Sequence, residues 1–402
     1  MSEAETPVLP PWMDKKTLEL WLRTHYGDLT VTDLEVRKGT SKGDNYLSSM
    51  QRLVVSTKSG DSHHLIIKCR MEDGEAARLF SESSIYRREQ EMYVSTLPRM
   101  SALLQKAMPG NFEPISPKCI YACKTFLVLE DLSATGFGMG ERRKGLDLDQ
   151  CLLVMRTLAR FHAASVVLHE QVPDSMKEYD INFISEPVFS KPWADFFAGM
   201  SRTLAEELDT WPKEWQSYAD KLRNRADLVI ELVLQTVKRR ETAFNVLTHG
   251  DLWVNNILLR GHASAALLVD FQLVHFTSPV LDLHYFITTS GTLEVLINHI
   301  ERLLEEYHTV LCDTLTVLGY TQTPISLQEL REEFDRKATY CLYSLLGPYA
   351  VMQSDPDCGF NLDDAIIRGL NPGRSMYGEN YKIAVRYLLP WLESRGVFKS
   401  KN

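Results

Sequence analysis

VLTHGDLWVNNILLRGHASAALLVDF, residues 246–271, is the stretch from which the rest of the chain can be read. It begins apolar, breaks at His249-Gly250-Asp251, resumes at Ile257-Leu258-Leu259, turns at Gly261-His262 and runs apolar again to Val269 before ending in Asp270. The pattern predicts strand, polar loop, short strand, turn, short strand, carboxylate. Asp251 and Asn256 then share one loop, and Asp270 lies just past the next hairpin, 19 residues from Asp251. A carboxylate that aligns and deprotonates a hydroxyl, with an amide and a second carboxylate that offer hard oxygens to Mg²⁺, is what phosphoryl transfer of the kinase type requires. Any one of these aspartates alone would read as a turn residue; the three residues together carry the signal.

Outward from that stretch, four strings sharpen the reading: GTSKGDNYLSSM at 39–50, REQEMYVSTLP at 88–98, LVLEDLSATGF at 127–137 and HGDLWVNN at 249–256. With Asp270-Phe271-Gln272 they resemble the insect ecdysteroid kinase-like (CHK kinase-like) family, within the choline kinase and aminoglycoside phosphotransferase group of protein-kinase-like folds. The resemblance runs over nearly the whole chain in the right order. It implies an α+β, two-lobe, protein-kinase-like fold: a β-rich N-lobe over 1–132 and a mainly helical C-lobe over 133–402. It also implies ATP and Mg²⁺, with a small-molecule hydroxyl as acceptor.

Residue by residue, the resemblance makes Asp251 the base and Asn256 and Asp270 the metal ligands. His249 braces the loop through a hydrogen bond. Gly43, Asp44 and Asn45 lie near the phosphates; this loop matches neither GxGxxG nor a Walker P-loop, and by itself reads as a hairpin. Lys68 closes the apolar strand Leu65-Ile66-Ile67 and reads either as an exposed strand end or as the lysine that meets the nucleotide phosphates; the resemblance selects the second. Its carboxylate partner is Glu89 by family position, with Glu91 as the alternative; the other is a solvated helix charge. Glu130 and Leu132 supply hinge backbone groups to adenine. Asp282 either steadies the catalytic loop or caps the helix that follows it. Gln272 stands where protein kinases have glycine, and no Ala-Pro-Glu element follows, which argues against a protein substrate.

Composition bounds the alternatives. The 402 residues suit two lobes around a cleft, and the net charge of −9 disfavours a nucleic-acid partner. No run approaches the ~18 apolar residues of a membrane span, and the N-terminus lacks the pattern of a secretory signal. The seven cysteines are scattered singly. Together these predict a cytoplasmic protein with no membrane or nucleic-acid partner, and no obligate protein partner is evident. Asp14 is a predicted N-cap, Asp147-x-x-Gln150 a capping box, and His162 a satisfied core histidine. A helix is expected over 83–97, two more over 191–240, and three segments near 292–319, 326–352 and 374–396.

The acceptor is less legible. Trp193, Phe196, Phe197, Trp211, Trp215, Tyr343, Tyr349 and Tyr377 either pack the helical core or line an apolar slot such as a steroid needs. Trp253 either walls the acceptor or packs the loop. The run Asp355, Asp357, Asp363, Asp364 is a solvated loop or a lure for a cation, as a choline/ethanolamine-type or amino-sugar kinase would want. A ligand-binding pseudokinase without turnover is the reading from another class.

Overall fold

The structure is a computed structural model. It describes residues 13–38, 48–70, 74–110, 112–355, 357–361, 364, 365, 367, 369, 370 and 373–399. Asp14 accepts the Thr17 N–H and opens α1 (Lys15–Tyr26), which ends at Gly27. Next come β1 (Val31–Lys38), β2 (Ser48–Thr57), β3 (Ser62–Arg70), α2 (Glu75–Ser81), α3 (Ile85–Glu91), α4 (Leu97–Ala107), β4 (Cys119–Ala122) and β5 (Phe126–Glu130). The strands form one antiparallel sheet in the order β1-β2-β3-β5-β4. Because strand side chains alternate faces, Leu53, Val55, Leu65, Ile67 and Val128 turn to one side, where they pack with Leu18, Trp21 and Leu22 of α1. Met50, Arg52, Ile66, Lys68 and Leu129 turn to the other, towards a cleft. The register sets Lys68 between Met50 and Leu127.

The helix expected over 83–97 is longer than its pattern suggests. α3 passes through a π-helical turn, Met92–Thr96, into α4. Pro98 follows directly. A proline removes an intrahelical donor, and the wider turn, in which the Leu97 N–H reaches Met92 C=O, accommodates it.

Past a short strand β6 (Phe137–Met139), the capping box of Asp147 and Gln150 starts α5 (Leu148–Gln171). By length and composition α5 could cross a membrane, yet 89% of its most apolar window is buried in the protein; it is the central helix of the larger core and packs against α11 (Ile300–Val317). Between them lie α6 (Pro187–Leu208), α7 (Gln216–Arg225), α8 (Val229–Val237), β7 (Val246–Thr248), β8 (Ile257–Arg260), β9 (Ala265–Leu268), β10 (His275–Thr277), α9 (Val280–Thr289) and α10 (Leu293–Asn298). Three helices, not two, thus fill 187–237: Pro212 lies between α6 and α7, and a 3₁₀ turn, Ala226–Leu228, separates α7 from α8. The C-terminal helices are α12 (Leu327–Arg336), α13 (Thr339–Ser344), α14 (Ala350–Gln353) and α15 (Glu379–Ser394). The strands after β5 form two small ribbons, β10-β7 and β6-β8-β9, and the loop from His249 to Asn256 is strung between them.

Candidate active site

Three devices fix that loop. Gly250 has φ +81°, and a Cβ there would lie 2.1 Å from Leu273 O, so only glycine fits. Asp282, in the first turn of α9, accepts the backbone N–H of His249 at 2.6 Å and of Gly250 at 2.9 Å. It braces the loop and does not cap the helix, whose N-cap is Pro279. Buried His162 is within 3.1 Å of the same carboxylate and 2.7 Å of Tyr307 Oη. Burial lowers the pKa of both His162 and His249 and keeps them neutral. The neutral state fixes the roles: His162 Nε2–H donates to Asp282 and Nδ1 accepts from Tyr307. His249 Nε2–H donates to Val269 C=O at 3.0 Å, and its Nδ1 accepts from the Asp251 N–H at 3.3 Å. His249 therefore positions Asp251 and lines neither cavity of the site.

Both oxygens of Asp251 are held. Asn256 Nδ2 donates to one at 2.9 Å and to the Asp251 C=O at 2.8 Å. Tyr285 Oη, one helical turn after Asp282, donates to the other at 2.6 Å. Burial pushes the carboxyl up to about 6, against the pull of the Tyr285 bond and with a further push from Asp270. A buried carboxylate that stays ionised only above such a pH is suited to taking a proton near neutrality.

Across the cleft, Lys68 Nζ lies 2.7 Å from Glu89 Oε1 and 2.9 Å from Asp270 Oδ1. Burial alone would lower this ammonium's pKa, but Asp270 and Glu89 outweigh it and hold Lys68 charged. The partner is thus Glu89, whose other oxygen accepts from Gln272 Nε2 at 3.0 Å. Asp270 has φ +68°, the one positive φ outside glycine among the described residues. Such a backbone costs of order 1–3 kcal/mol and is retained where the surroundings require it; here it turns the carboxylate back toward Lys68.

These groups line a cleft of about 1,160 Å³ measured to its mouth. Glu130 lines it too, although its N–H is used by Lys118 C=O. Leu132 does not; it opens a short 3₁₀ turn beside a neighbouring groove. Gly43, Asp44 and Asn45 lie outside the described residues. For a divalent cation, the donor set fits. Asn256 spends its amide nitrogen on Asp251 and keeps Oδ1 as an acceptor. Asp270 keeps one oxygen beyond the Lys68 contact. Among the described residues no group of three or more His, Cys, Asp or Glu forms a metal cage.

Asp251 and Leu273 also line a second cavity, of about 900 Å³ to its mouth, and buried Trp253 is the wall between the two. Trp253 packs the loop and faces both cavities at once. Four of the eight candidate aromatics, Trp193, Phe196, Phe197 and Tyr343, line this second cavity, joined by Tyr285. The others pack elsewhere, Trp211 against Trp215 and Tyr377 against Tyr381. Asp355 pairs with Arg143 at 3.3 Å, and neither Asp357 nor Asp364 lines the cavity; Asp363 lies outside the described residues.

Residues 42–320 match the family model described as ecdysteroid kinase-like. The chain belongs to the ecdysteroid kinase-like family. Among solved structures, this family member is similar to a choline kinase from Cryptosporidium parvum Iowa II, at 14% identity and TM-score 0.52, over 96% of this chain and 98% of that one. A Plasmodium vivax ethanolamine kinase is similar over 97% of this chain and 91% of that one, at 15% identity and TM-score 0.41. At such identities the first likeness shows the fold, which is that of the choline kinase group. No curated protein matches the chain by sequence.

Proposed function

We propose that the protein is a small-molecule kinase that transfers the γ-phosphate of ATP to a hydroxyl of a bulky, largely apolar alcohol, an ecdysteroid or a related steroid or xenobiotic alcohol. One observation carries the reading: Asp251 stands at the junction of two cavities, one edged by Lys68, Asp270 and Asn256, the other by aromatic rings. The acceptor hydroxyl enters from the aromatic side and donates its proton to Asp251 as its oxygen bonds the γ-phosphorus; the bond from that phosphorus to the bridging oxygen breaks, and ADP leaves. Lys68 holds phosphate oxygens in register. Mg²⁺, when bound by Asp270 and Asn256, neutralises charge on the phosphates. Trp253 screens the reacting oxygen from water, so that the acceptor is phosphorylated in preference to solvent.

The aromatic cavity is a concavity lined mainly by rings and aliphatic groups with few polar ones, the make-up of a small-molecule site. Its charged lining is Asp251 and Arg142. A cationic acceptor would want several carboxylates there, which weighs toward a neutral alcohol. The rings nonetheless form a surface on which a quaternary ammonium would sit, and this keeps the choline/ethanolamine-type reading as the second.

ATP consumption with Mg²⁺ should be followed against polyhydroxylated steroids, plant phenolics, choline, ethanolamine and aminoglycosides, with Asp251→Asn as the blank. Turnover on a steroid or phenolic, lost in the blank, is expected. Turnover confined to choline or ethanolamine would replace the acceptor assignment. No turnover on any acceptor despite MgATP binding would replace kinase with ligand-binding pseudokinase.

A further inference from the structure

A third cavity lies on the C-terminal lobe, between the ends of α7 and α8, the α12–α13 junction and the segment after α15, and none of the catalytic residues lines it. Its volume to the mouth, about 1,320 Å³, is similar to that of the nucleotide cleft. In a chain of net charge −9, its charged lining is wholly cationic. One side brings Arg225, Lys238, Arg239 and Arg240; the other brings Arg336, Lys337, Arg395 and Lys399.

Carboxylates outside the lining answer only part of this charge. Glu333 serves Arg336, Arg240 at 3.4 Å and Lys337 at 3.8 Å, and also accepts from Ser278. Asp335 pairs with Arg395 at 2.5 Å, and Asp180 and Glu241 share Arg239. Eight cations thus meet four paired carboxylates, and a fifth, Glu332, acts on Arg336 without pairing to it, leaving a formal excess of three positive charges. Arg225 is bonded to the Lys399 carbonyl, and among the described residues Arg225, Lys238 and Lys399 make no ion pair. At the floor, Lys337 is 7% exposed and donates to Thr236 C=O. Its pKa is held down to about 8 by burial and by Arg240 and Arg336, which Glu333 does not offset. Cations crowded and partly buried in this way disfavour one another, and a polyanion is the ligand that relieves them.

We propose that this cleft binds a polyanion carrying several phosphate groups, either a soluble polyphosphorylated molecule or the headgroup of a polyphosphorylated lipid. The assignment is independent of the catalytic reading. Planar guanidinium groups suit bidentate contact with phosphate oxygens, and the number of uncompensated cations calls for more charge than one monoanion brings.

The test is calorimetric titration of the full chain with inorganic tripolyphosphate. Three variants accompany the parent: Lys238→Glu/Lys399→Glu, the milder Lys238→Gln/Lys399→Gln, and Lys68→Met, which alters only the nucleotide cleft. Binding should survive Lys68→Met and weaken at least about tenfold on charge reversal, the scale of a like-charge juxtaposition, with the glutamine pair intermediate. Co-sedimentation with phosphatidylcholine vesicles, with and without phosphatidylinositol bisphosphate, names the source. Vesicle binding that needs the phosphorylated lipid and is lost on charge reversal points to a headgroup, and tripolyphosphate binding alone to a soluble ligand. Absence of both, or tripolyphosphate binding that Lys68→Met abolishes or that both lysine pairs leave unchanged, overturns the proposal.

Discussion

The two cavities that meet at Asp251 are built on opposite principles. On the nucleotide side, nearly every functional group is a charge with a named partner: Lys68 with Glu89 and Asp270, Glu89 with Gln272, and Asp251 with Asn256 and Tyr285. On the acceptor side, rings do the lining, Phe197 stacks on Tyr343 at 4.6 Å, and polar bonds are few. Buried charges are costly unless each is answered, so the first cavity admits little change. Apolar packing tolerates volume-conserving exchange, so the second can change its ligand while the chemistry stays. On the proposed function, this division separates what is transferred from what receives it.

Asp251→Asn strikes the point common to both sides and should have the largest effect. An amide cannot take the acceptor proton, so kcat should fall by about 10²–10⁴-fold, while MgATP binding, followed by thermal shift, persists. Unchanged turnover would remove Asp251 from its assigned role and dissolve the junction between the cavities. Next is Lys68→Met, which breaks the nucleotide side only. Loss of one preorganised cation should cost about 10²-fold in kcat/KM. It should also leave Glu89 buried without a counter-charge, at about 3 kcal/mol in urea unfolding. The double variant Lys68→Met/Glu89→Gln should recover most of that stability and none of the activity. Recovery of both would mean that the pair is only structural.

How much of this was legible in the sequence follows the same division. Asp251, Asn256, Asp270 and Lys68 fall where strand alternation and loop spacing place them, since an apolar run closing in lysine and a hairpin flanked by aspartates are local patterns. The choice between Glu89 and Glu91 was not local: it depends on which helix face meets β3, and the structure gives Glu89. Tyr285 left a trace, three residues after Asp282 and so on the same helix face, but nothing local said what that face meets. Gln272 read as a departure from glycine, whereas it is a hydrogen-bond partner of Glu89. The aromatics were hardest. Helical spacing marks a buried face, and only the fold shows that Trp193, Phe196, Phe197 and Tyr343 edge a cavity while Trp211 and Tyr377 do not.

Tyr285 joins the two sides and gives a prediction with a definite sign. Its bond favours the charged form of Asp251 and so lowers a pKa that burial has raised to about 6. The base must be ionised, so in the parent kcat/KM should rise with pH through about 6 and then level. Tyr285→Phe removes a hydrogen bond to a carboxylate, about 1.5 kcal/mol, and should move this limb about one pH unit higher, with a modest loss on the plateau. A loss equal at every pH would make Tyr285 a packing residue only.

The least disturbance of the chemical step should come from narrowing the acceptor cavity at its wall. Gly347 lies in the π-helical turn Leu345–Tyr349, and a Cβ there would come 2.5 Å from Phe197 Cζ. No left-handed backbone angle is involved, so Gly347→Ala strains no dihedral; it displaces one ring. Phe197 is 2% exposed and stacked on Tyr343, so it can yield only by shifting within the cavity wall. Overpacking of this kind costs about 1–3 kcal/mol, which should appear as a rise in KM for a bulky acceptor, with KM for MgATP unchanged. A small alcohol that does not fill the cavity should be insensitive. If KM for MgATP rose in parallel, the two cavities would be mechanically continuous, and the division between a constrained nucleotide side and a pliable acceptor side would fail at this residue.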